Sequence, residues 1–351
     1  PSTRGIVSPP APAPGRSTLD SDSKRLQFSS RRGRRLTVGS VVVGVPQSRS
    51  VPSIERPWAL KIPTIDLKIY EEKEDPSKHF TIRSIDVRQS IGDALSSSPG
   101  GIVQMAAGGQ ALLFIHGYNT TFDNAIYRTA QIASDIRFEG SVFAYSWPSA
   151  STLAGYTFDR ESAAQAEPYL RQFLEQIAGI AGAGRISVIA HGMGVEPLLR
   201  VLREVQGSSA GPPLLNQLIL AAPDADRDTF QSAMAALTRA GVARGVTLYV
   251  ASNDLALESA RRFWGGISRA GEVPATGPIV VPGVDTIDVT AVSTETFGLN
   301  YSNYAENNVL VGDIRELIAT GMRPPERRNP QLQKVEGPTG VYWRYPAAAK
   351  K

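Results

Sequence analysis

The chain has 351 residues, a net charge of +4 and an apolar content of 42%, which is enough for one large domain with a sizeable core. It contains no cysteine, so disulfide frameworks, thiol catalysis and thiolate metal sites are excluded. The modest charge argues against a nucleic-acid partner, and no apolar run approaches the roughly 20 residues that span a bilayer.

The first 25 residues are rich in proline, alanine, glycine and serine. Such a composition cannot bury enough apolar surface to fold, so we predict a disordered tether over residues 1–25. A tether of this kind fits a periplasmic protein or an outer-membrane-anchored lipoprotein, and a cytoplasmic protein with a disordered start is the alternative.

A β-rich lead-in is predicted over residues 26–100. The arginine-rich run 31–35 is followed at once by the triplets Leu-Thr-Val at 36–38 and Val-Val-Val at 41–43, which are rich in β-branched residues and have glycine and proline around them. This pattern indicates strand and turn rather than a patch for polyanions. Residues 80–85 alternate like another half-buried strand.

The core is predicted over residues 101–322, where short apolar runs alternate with helical segments. Strands are predicted over residues 111–115, 141–145, 186–190, 217–222, 246–251 and 286–289. Helices are predicted over residues 122–136, 161–177, 195–205, 228–240 and 255–264. This alternation indicates an α/β class fold, with a mostly parallel, doubly wound sheet covered on both faces. The proline-marked segment 323–351 is interpreted as a polar surface extension.

The most informative motif is Ala-His-Gly-Met-Gly at residues 190–194, between a predicted strand and a predicted helix. A tight strand-to-helix turn of this kind is where an α/β hydrolase exposes its nucleophilic serine. Here Gly192 stands at that point and carries no side chain, so the scaffold for acyl transfer lacks its reactive atom.

Motifs at the other strand ends follow one another in a specific order: HGYN at 116–119, YRTAQ at 127–131, SWPS at 146–149, YTFDRES at 156–162 and AAPDAD at 221–226. Together they resemble a bacterial α/β-hydrolase family of uncharacterised function, often labelled esterase/lipase-like, whose members typically read Ala-His-Ser-Met-Gly at the elbow. The resemblance covers about residues 26–319. It implies an alpha/beta-hydrolase fold with an N-terminal β-rich extension.

The resemblance also implies a serine–aspartate–histidine triad, of which one member remains. Gly192 takes the nucleophile position, Asp254 the acid position and Tyr301 the histidine position. Tyrosine, with a pKa near 10, is a poor base at neutral pH, whereas neutral imidazole suits that task. The chain has three histidines, none of them in its C-terminal part: His79, His116 and His191.

The same resemblance suggests where an oxyanion would be bound. One backbone N–H is expected from Tyr118 or Asn119 and a second from Met193, the residue after the elbow position. His116 is expected to shape the loop. We further expect Asp254 to hydrogen-bond Tyr301 and hold the pocket closed.

Three other groups of polar residues have alternative interpretations. Asp224, Asp226 and Asp228 could bind a metal, but their spacing lacks the rest of a calcium loop, so helix capping is favoured. A polar brace beside the pocket is expected from Arg128, Gln131, Asp159 and Arg160. Substitute nucleophiles would have to come from four serines that lack an elbow and an evident histidine partner: Ser146, Ser149, Ser252 and Ser302.

From these observations we expect a degenerate hydrolase, a pseudoenzyme that keeps the pocket and the oxyanion loops for binding or scaffolding. Its partner would be a protein in an envelope complex or a small apolar or acyl ligand; no metal and no cofactor are expected. The alternative is an esterase/lipase-like carboxylic ester hydrolase with a nonstandard mechanism, or one whose native serine has been replaced. A structural envelope protein is a third hypothesis.

Overall fold

The structure is a computed structural model that describes residues 2–7, 26–46, 59–62, 67–71, 75, 78–96, 109–206, 212–252, 254, 257, 260–261, 265–292 and 304–346. The described strands are β1 (Ser2–Val7), β2 (Gln27–Gly44), β3 (Ala59–Ile62), β4 (Leu67–Glu71), β5 (Thr81–Arg88), β6 (Ala111–Ile115), β7 (Ser141–Tyr145), β8 (Ile186–His191), β9 (Leu215–Ala221), β10 (Ala243–Val250), β11 (Val284–Asp288), β12 (Gln333–Gly337) and β13 (Gly340–Arg344).

The described α-helices alternate with the strands of the core. They are α1 (Ile91–Ser96), α2 (Phe122–Asp135), α3 (Tyr156–Gln165), α4 (Glu167–Ala181), α5 (Val195–Gln206), α6 (Arg227–Arg239), α7 (Tyr304–Thr320) and α8 (Pro325–Arg328). No helix in these parts of the chain is long and apolar enough to cross a membrane.

An eight-stranded sheet in the order β12-β13-β11-β10-β9-β8-β6-β7 forms the centre of the fold. Every neighbouring pair is parallel except the β12–β13 hairpin. Helices α4, α5 and α6 bury their apolar faces in one cluster, and α2 and α7 bury residues in a second cluster that includes other residues of the same strands. Strand β6 is therefore buried along its whole length, as expected for a strand covered on both faces. The predicted doubly wound α/β fold is confirmed.

One predicted helix, over residues 161–177, is wrong in its extent. The structure has two helices there, α3 and α4, which meet at Ala166. Pro168 lies in the first turn of α4, where its missing N–H is tolerated. Within a continuous helix the same proline would remove a hydrogen bond and clash with the preceding turn. The predicted helix 255–264 falls mostly on residues outside the described part of the chain.

The N-terminal segment forms a separate antiparallel sheet in the order β1-β2-β5. Strand β1 differs from the expected tether, because Ser2–Val7 pairs with β2, while residues 8–25 lie outside the described ranges. The arginine-rich run lies within β2, as the strand interpretation predicted. Strands β3 and β4 form a two-stranded ribbon.

The C-terminal segment is not a surface extension as the sequence suggested. Strand β13 pairs with β11 and carries β12 into the main sheet. The missed signal is the alternation of apolar residues at Val341, Trp343 and Tyr345, a period-2 pattern typical of a half-buried strand. Trp343 and Tyr345 are buried at 8% and 2% exposure.

A buried ion pair ties this segment to the core. The Arg328 guanidinium donates to the Asp313 carboxylate through Nε at 2.9 Å and Nη2 at 3.2 Å. The Tyr249 hydroxyl donates to the same carboxylate at 2.5 Å. Burial, together with the charge of Asp313, raises the pKa of Tyr249 well above its ordinary value, so this hydroxyl stays a donor. Helix α7, helix α8 and strand β10 are thereby connected at one carboxylate.

We predict that Arg328→Ala lowers the free energy of unfolding by about 3–5 kcal/mol, because it leaves the Asp313 carboxylate buried without its counter-charge. The matched control is Arg327→Ala, an exposed arginine of the same helix, for which we expect a change within about 0.5 kcal/mol. Urea unfolding of both variants measures the difference. Equal losses would show that the ion pair does not anchor the C-terminal segment.

Candidate functional site

The predicted strand-to-helix turn lies at the carboxyl end of β8, an interior strand of the main sheet. Strand β8 ends at His191, residues 192–194 form a single 3-10 turn, and α5 begins at Val195. Gly192 has a φ of +54°, in the left-handed region that glycine enters without steric cost. This tight turn, with its first residue at the end of the central strand, has the backbone geometry of a nucleophile elbow.

Space for a side chain remains at the elbow. A Cβ placed on Gly192 would lie 3.7 Å from the nearest neighbouring atom, Gly117 Cα, which is an ordinary van der Waals distance. The residue there is therefore limited by backbone conformation and not by a clash. A residue with a Cβ held at this φ costs about 1–3 kcal/mol.

Backbone N–H groups at the start of a helix have no partners within the helix, and Met193 is the residue that would offer one beside Gly192. The Met193 side chain is buried. Of the two predicted donors on the facing loop, the Asn119 N–H already donates to Asp159 Oδ2 at 3.0 Å. The assignment of the second N–H to Tyr118 or Asn119 stays a prediction.

His116 holds the loop after β6 against the loop after β7. Its Nδ1 lies 2.8 Å from the Gly117 carbonyl oxygen, and its Nε2 accepts the Trp147 N–H at 3.1 Å. A proton on Nδ1 satisfies both of these contacts. The ring also stacks on the Trp147 indole at 4.6 Å, and the indole N–H donates to the His116 carbonyl. His116 is buried, with both ring nitrogens engaged, which agrees with a loop-shaping role.

The other two histidines lie at different points of the chain. His191 is the last residue of β8, and a Cβ placed on Gly117 would lie 2.7 Å from its Nδ1. The close approach explains why the loop after β6 carries glycine there. His79 accepts the Asp75 N–H through Nδ1 at 3.0 Å, in the segment before β5.

The predicted substitute nucleophiles Ser146 and Ser149 are both fully buried. Ser146 Oγ lies 3.4 Å from His116 Nε2, a histidine contact that the sequence did not reveal. The Ser149 hydroxyl donates to Asp159 Oδ2 at 2.6 Å. Neither hydroxyl is accessible to a substrate. Ser302 lies outside the described residues, and Ser252 lies in the turn after β10, where its N–H is bonded to Thr290.

The Asp159 carboxylate connects three segments around the elbow. It belongs to α3 and accepts the Asn119 N–H, the Ser149 hydroxyl and the Ala150 N–H, the last at 2.6 Å. Asp159 is completely buried, so these donors replace its hydration. The loops after β6 and β7 are thereby fixed to α3.

A buried ion pair at Asp224 lies directly beside the elbow, in place of the helix cap or metal ligand that the sequence pattern suggested for this residue. Asp224 Oδ1 accepts from Arg269 Nε at 2.8 Å, and its Oδ2 accepts from the Tyr156 hydroxyl at 2.8 Å. The Asp224 N–H donates to the Gly192 carbonyl at 3.1 Å. Asp224 and Arg269 are 5% and 3% exposed. Their spacing of 45 residues gave no sequence signal.

Aromatic side chains extend this cluster toward the loop after β6. The Tyr118 ring packs edge-on against the Tyr156 ring at 5.4 Å. Burial raises the pKa of Tyr118, and the nearby Asp159 and Asp224 charges raise it further. Tyr118 is therefore a neutral hydroxyl at physiological pH, suited to hydrogen bonding and not to service as a base.

A second chain of charges crosses the start of α5. Arg160 Nη2 donates to Glu196 Oε2 at 2.7 Å, Glu196 also contacts Arg200, and Arg200 donates to Glu167 at 2.8 Å. These residues rim a cleft of about 240 Å³ with Met193 in its wall. The cleft next to the elbow is therefore edged by both signs of charge.

Helix α3 is also held from the N-terminal sheet. Arg32 of β2 donates to the Ser162 hydroxyl at 2.9 Å and to Glu161 at 3.0 Å, and its guanidinium lies 4.7 Å from the Phe158 ring centroid. The four residues of the predicted polar brace therefore lie in two separate places, two on α3 and two on α2. Asp159 and Arg160 bind the loops and α5, and Arg128 donates to Gln131 within α2 at 2.6 Å.

Asp254 follows β10, as predicted, and is buried. Its Oδ1 accepts the Leu257 N–H at 3.1 Å, an arrangement that caps a turn. Tyr301 lies outside the described residues, so its contact with Asp254 stays a prediction.

Asp226 caps a helix. It is the N-cap of α6, and its Oδ1 accepts the Thr229 N–H at 2.9 Å. Asp228 lies in the first turn of the same helix, where a carboxylate favours the helix dipole. Among the described residues, no group of three or more His, Asp or Glu side chains could hold a metal ion.

We predict that Asp159→Asn lowers the free energy of unfolding by about 2–4 kcal/mol, because an amide must point an N–H group at one of the three donors. Hydrogen exchange at the amides of Asn119 and Ala150 should accelerate. Glu161→Gln, on the same helix and exposed, is the control and should change stability by less than about 1 kcal/mol. Protected amides in a destabilised Asp159→Asn protein would contradict the role in loop fixation.

Asp226 gives a pH-dependent prediction. Its pKa is lowered, chiefly by the Thr229 backbone hydrogen bond. A lowered folded-state pKa adds stability above the unfolded pKa of about 3.9, and this is lost as pH falls through the folded pKa. The native chain should therefore exceed Asp226→Asn in stability at neutral pH and match it near pH 2. Asp226→Ala should lose about 1 kcal/mol, and Glu139→Gln, at an exposed glutamate outside the helices and strands, serves as the control in urea unfolding at both pH values.

Comparison with known proteins places esterases among the similar structures. Two structures of an esterase from Pyrobaculum calidifontis match with TM-scores of 0.34 and 0.33 at 11% identity, covering 60% of this chain and 77% and 75% of theirs. The carboxylesterase CesB from Bacillus subtilis matches with a TM-score of 0.32 at 11% identity, covering 61% of this chain and 85% of its own. A search of curated proteins found no match.

Residues 100–320 match the family described as "Alpha/beta hydrolase of unknown function (DUF900)". This match spans the elbow, the strand-end loops and helices α2 to α7, more than half of the chain. The sequence, the parallel sheet and the elbow geometry thus agree, and the chain belongs to this family of α/β hydrolases.

Proposed function

We propose that this protein is a non-catalytic α/β hydrolase that binds a small acyl or other carbonyl ligand at the elbow without cleaving it. The observation that carries the proposal is Gly192 at a φ of +54°. The backbone keeps the conformation that presents a nucleophile, and the residue there has no atom that could act as one.

General-base chemistry is the second argument. A serine nucleophile needs a general base within hydrogen-bond reach, and in the Ser-His-Asp triad that base is an imidazole. The chain has three histidines. Both ring nitrogens of His116 contact backbone groups of Gly117 and Trp147. His191 is the last residue of β8, immediately before the elbow, and His79 lies in the segment before β5. The family's histidine position is Tyr301, and tyrosine is a poor base at neutral pH.

The binding function is supported by the parts that remain. The start of α5 offers backbone N–H groups to a carbonyl oxygen, and the cleft of about 240 Å³ lies beside Met193. Asp224 and Arg269 neutralise each other at 2.8 Å, so the wall beside the elbow has little net charge. A neutral, polarised carbonyl fits such a site better than a charged group.

We test this with ester hydrolysis by the native chain, Gly192→Ser and Gly192→Ser/Tyr301→His, using p-nitrophenyl esters with short to medium acyl chains. Only the double variant should turn over, because serine without a base keeps at most the residual catalysis of about 10³–10⁴-fold over water seen in triad-deleted proteases. Gly241→Ser is the matched control, since Gly241 also has a positive φ of +66° and a Cβ placed on it would meet no neighbouring atom within 4 Å.

Binding is measured separately on the native chain. Saturation-transfer NMR should show contact with p-nitrophenyl hexanoate that is not hydrolysed, and Ala164→Trp, which fills the cleft beside Met193, should weaken it. Hydrolysis by the native chain at enzyme-like rates would overturn the proposal in favour of an esterase with a nonstandard mechanism. Absence of both binding and rescued turnover would overturn it as well.

A further inference from the structure

A second cavity, of about 330 Å³, lies where the N-terminal sheet covers the edge of the main sheet. Strand β7 is the last strand of the main sheet, and β5 is the last strand of the N-terminal sheet. The cavity lies between β7 on one side and β2 and β5 on the other, with β2 supplying the largest share of the lining, and α1, α2 and part of α4 complete its walls. It shares no lining residue with the cleft beside Met193.

Residues of two separate apolar clusters border the cavity. Val38 and Ile91 pack into the large cluster around α4 and α5, whereas Ile82, Phe122 and Ile126 form a small separate cluster. Aromatic pairs stand at two sides of the gap. Phe28 stacks on Phe122 at 4.1 Å, and Phe143 packs edge-on against Phe173 at 6.0 Å.

The cavity is open to solvent between two exposed valines. Val87 of β5 is 42% exposed and Val142 of β7 is 39% exposed, and both line the cavity. As the end strand, β7 also has one side of its backbone without a ladder partner among the described strands of the main sheet, which leaves polar backbone groups at the opening. An apolar interior with a few polar groups at its edge is typical of a small-molecule site.

The charged residues in the lining indicate which ligand charge the cavity can accept. Its described residues include one ionisable group, Asp86, and no lysine, arginine or histidine. An anionic headgroup would meet no counter-charge among these described residues. The volume is about twice that of an engineered apolar cavity of about 150 Å³ that binds benzene. The site therefore fits an uncharged ligand with about ten carbons.

We propose that this cavity is a binding site for an uncharged, largely apolar small molecule, such as a medium-chain alcohol or a fused two-ring compound. The site is independent of the elbow. Ligand binding there would fill the gap between the two clusters and tie the N-terminal sheet to the α/β core, because the ligand would contact both.

The test uses the full chain and the neutral fluorescent probe N-phenyl-1-naphthylamine. Fluorescence titration should give saturable binding with one site, and the melting temperature should rise with probe concentration. At pH 7, 1-decanol should displace the probe at lower concentration than decanoate, since the described part of the lining holds an acid and no cation. Equal or better displacement by decanoate would overturn the assignment of an uncharged ligand.

Two pairs of variants locate the site. Val142→Lys places a charge at the opening and should raise the probe Kd by about tenfold, and the matched Val42→Lys, at another exposed valine that does not line the cavity, should leave it unchanged. Ala130→Trp on α2 should fill the cavity and abolish binding, whereas Ala164→Trp should not affect it.

The opposite pattern would overturn the proposal. If Ala164→Trp abolished probe binding and Ala130→Trp did not, the probe would bind beside the elbow and not in this cavity. Probe binding that appears only when a dimer dissociates on dilution would show that the cavity face is an interface between copies. Absence of saturable binding by the native chain would exclude the site outright, whatever the fold of the variants.

Discussion

The buried carboxylate of Asp159 is the contact on which the surroundings of the elbow depend. It lies on α3 and accepts hydrogen bonds from the loops after β6 and β7 at 2.6–3.0 Å. A carboxylate without water must be saturated by donors, so the two loops cannot move away from α3 independently. The same helix delivers Tyr156 to Asp224 and Arg160 to Glu196. The pocket is therefore shaped by one helix and one buried charge.

The elbow has the backbone geometry of a nucleophile turn, but its first residue, Gly192, has no reactive side chain. Strand β8, the turn at Gly192 and helix α5 reproduce the arrangement that presents a nucleophile, while the polar side chains nearby serve the structure. The charge of Asp224 is neutralised by Arg269, and both ring nitrogens of His116 contact backbone groups of Gly117 and Trp147. Glycine at a positive φ also removes the strain that a reactive residue would store there. The proposed binding function uses the rigid turn and the backbone N–H groups at the start of the helix.

The N-terminal sheet is attached to the α/β core at several separate points. Arg32 joins it to α3, and the apolar clusters around Val38 and Ile82 join it to the main sheet. Between these attachments lies the cavity along β7. A ligand in that cavity and a ligand at the elbow would contact different parts of the same α3–α4 region. The N-terminal sheet is thus positioned to influence both places, because its packing against the core is incomplete where the cavity lies.

The sequence by itself determined the alternation of strands and helices, the position of the elbow and the glycine at its first residue, because each of these is encoded in contiguous residues. Local patterning also identified the Asp226 cap. It did not reveal the break between α3 and α4, which Pro168 dictates, or the strands β1 and β13, which are stabilised by partners distant in the chain. The Asp224–Arg269 pair and the Asp159 contacts likewise bring together residues separated by 9 to 45 positions. Only the tertiary structure decided these, since a buried charge is satisfied by whichever donors the fold brings within reach, and that proximity has no periodic signature in the sequence.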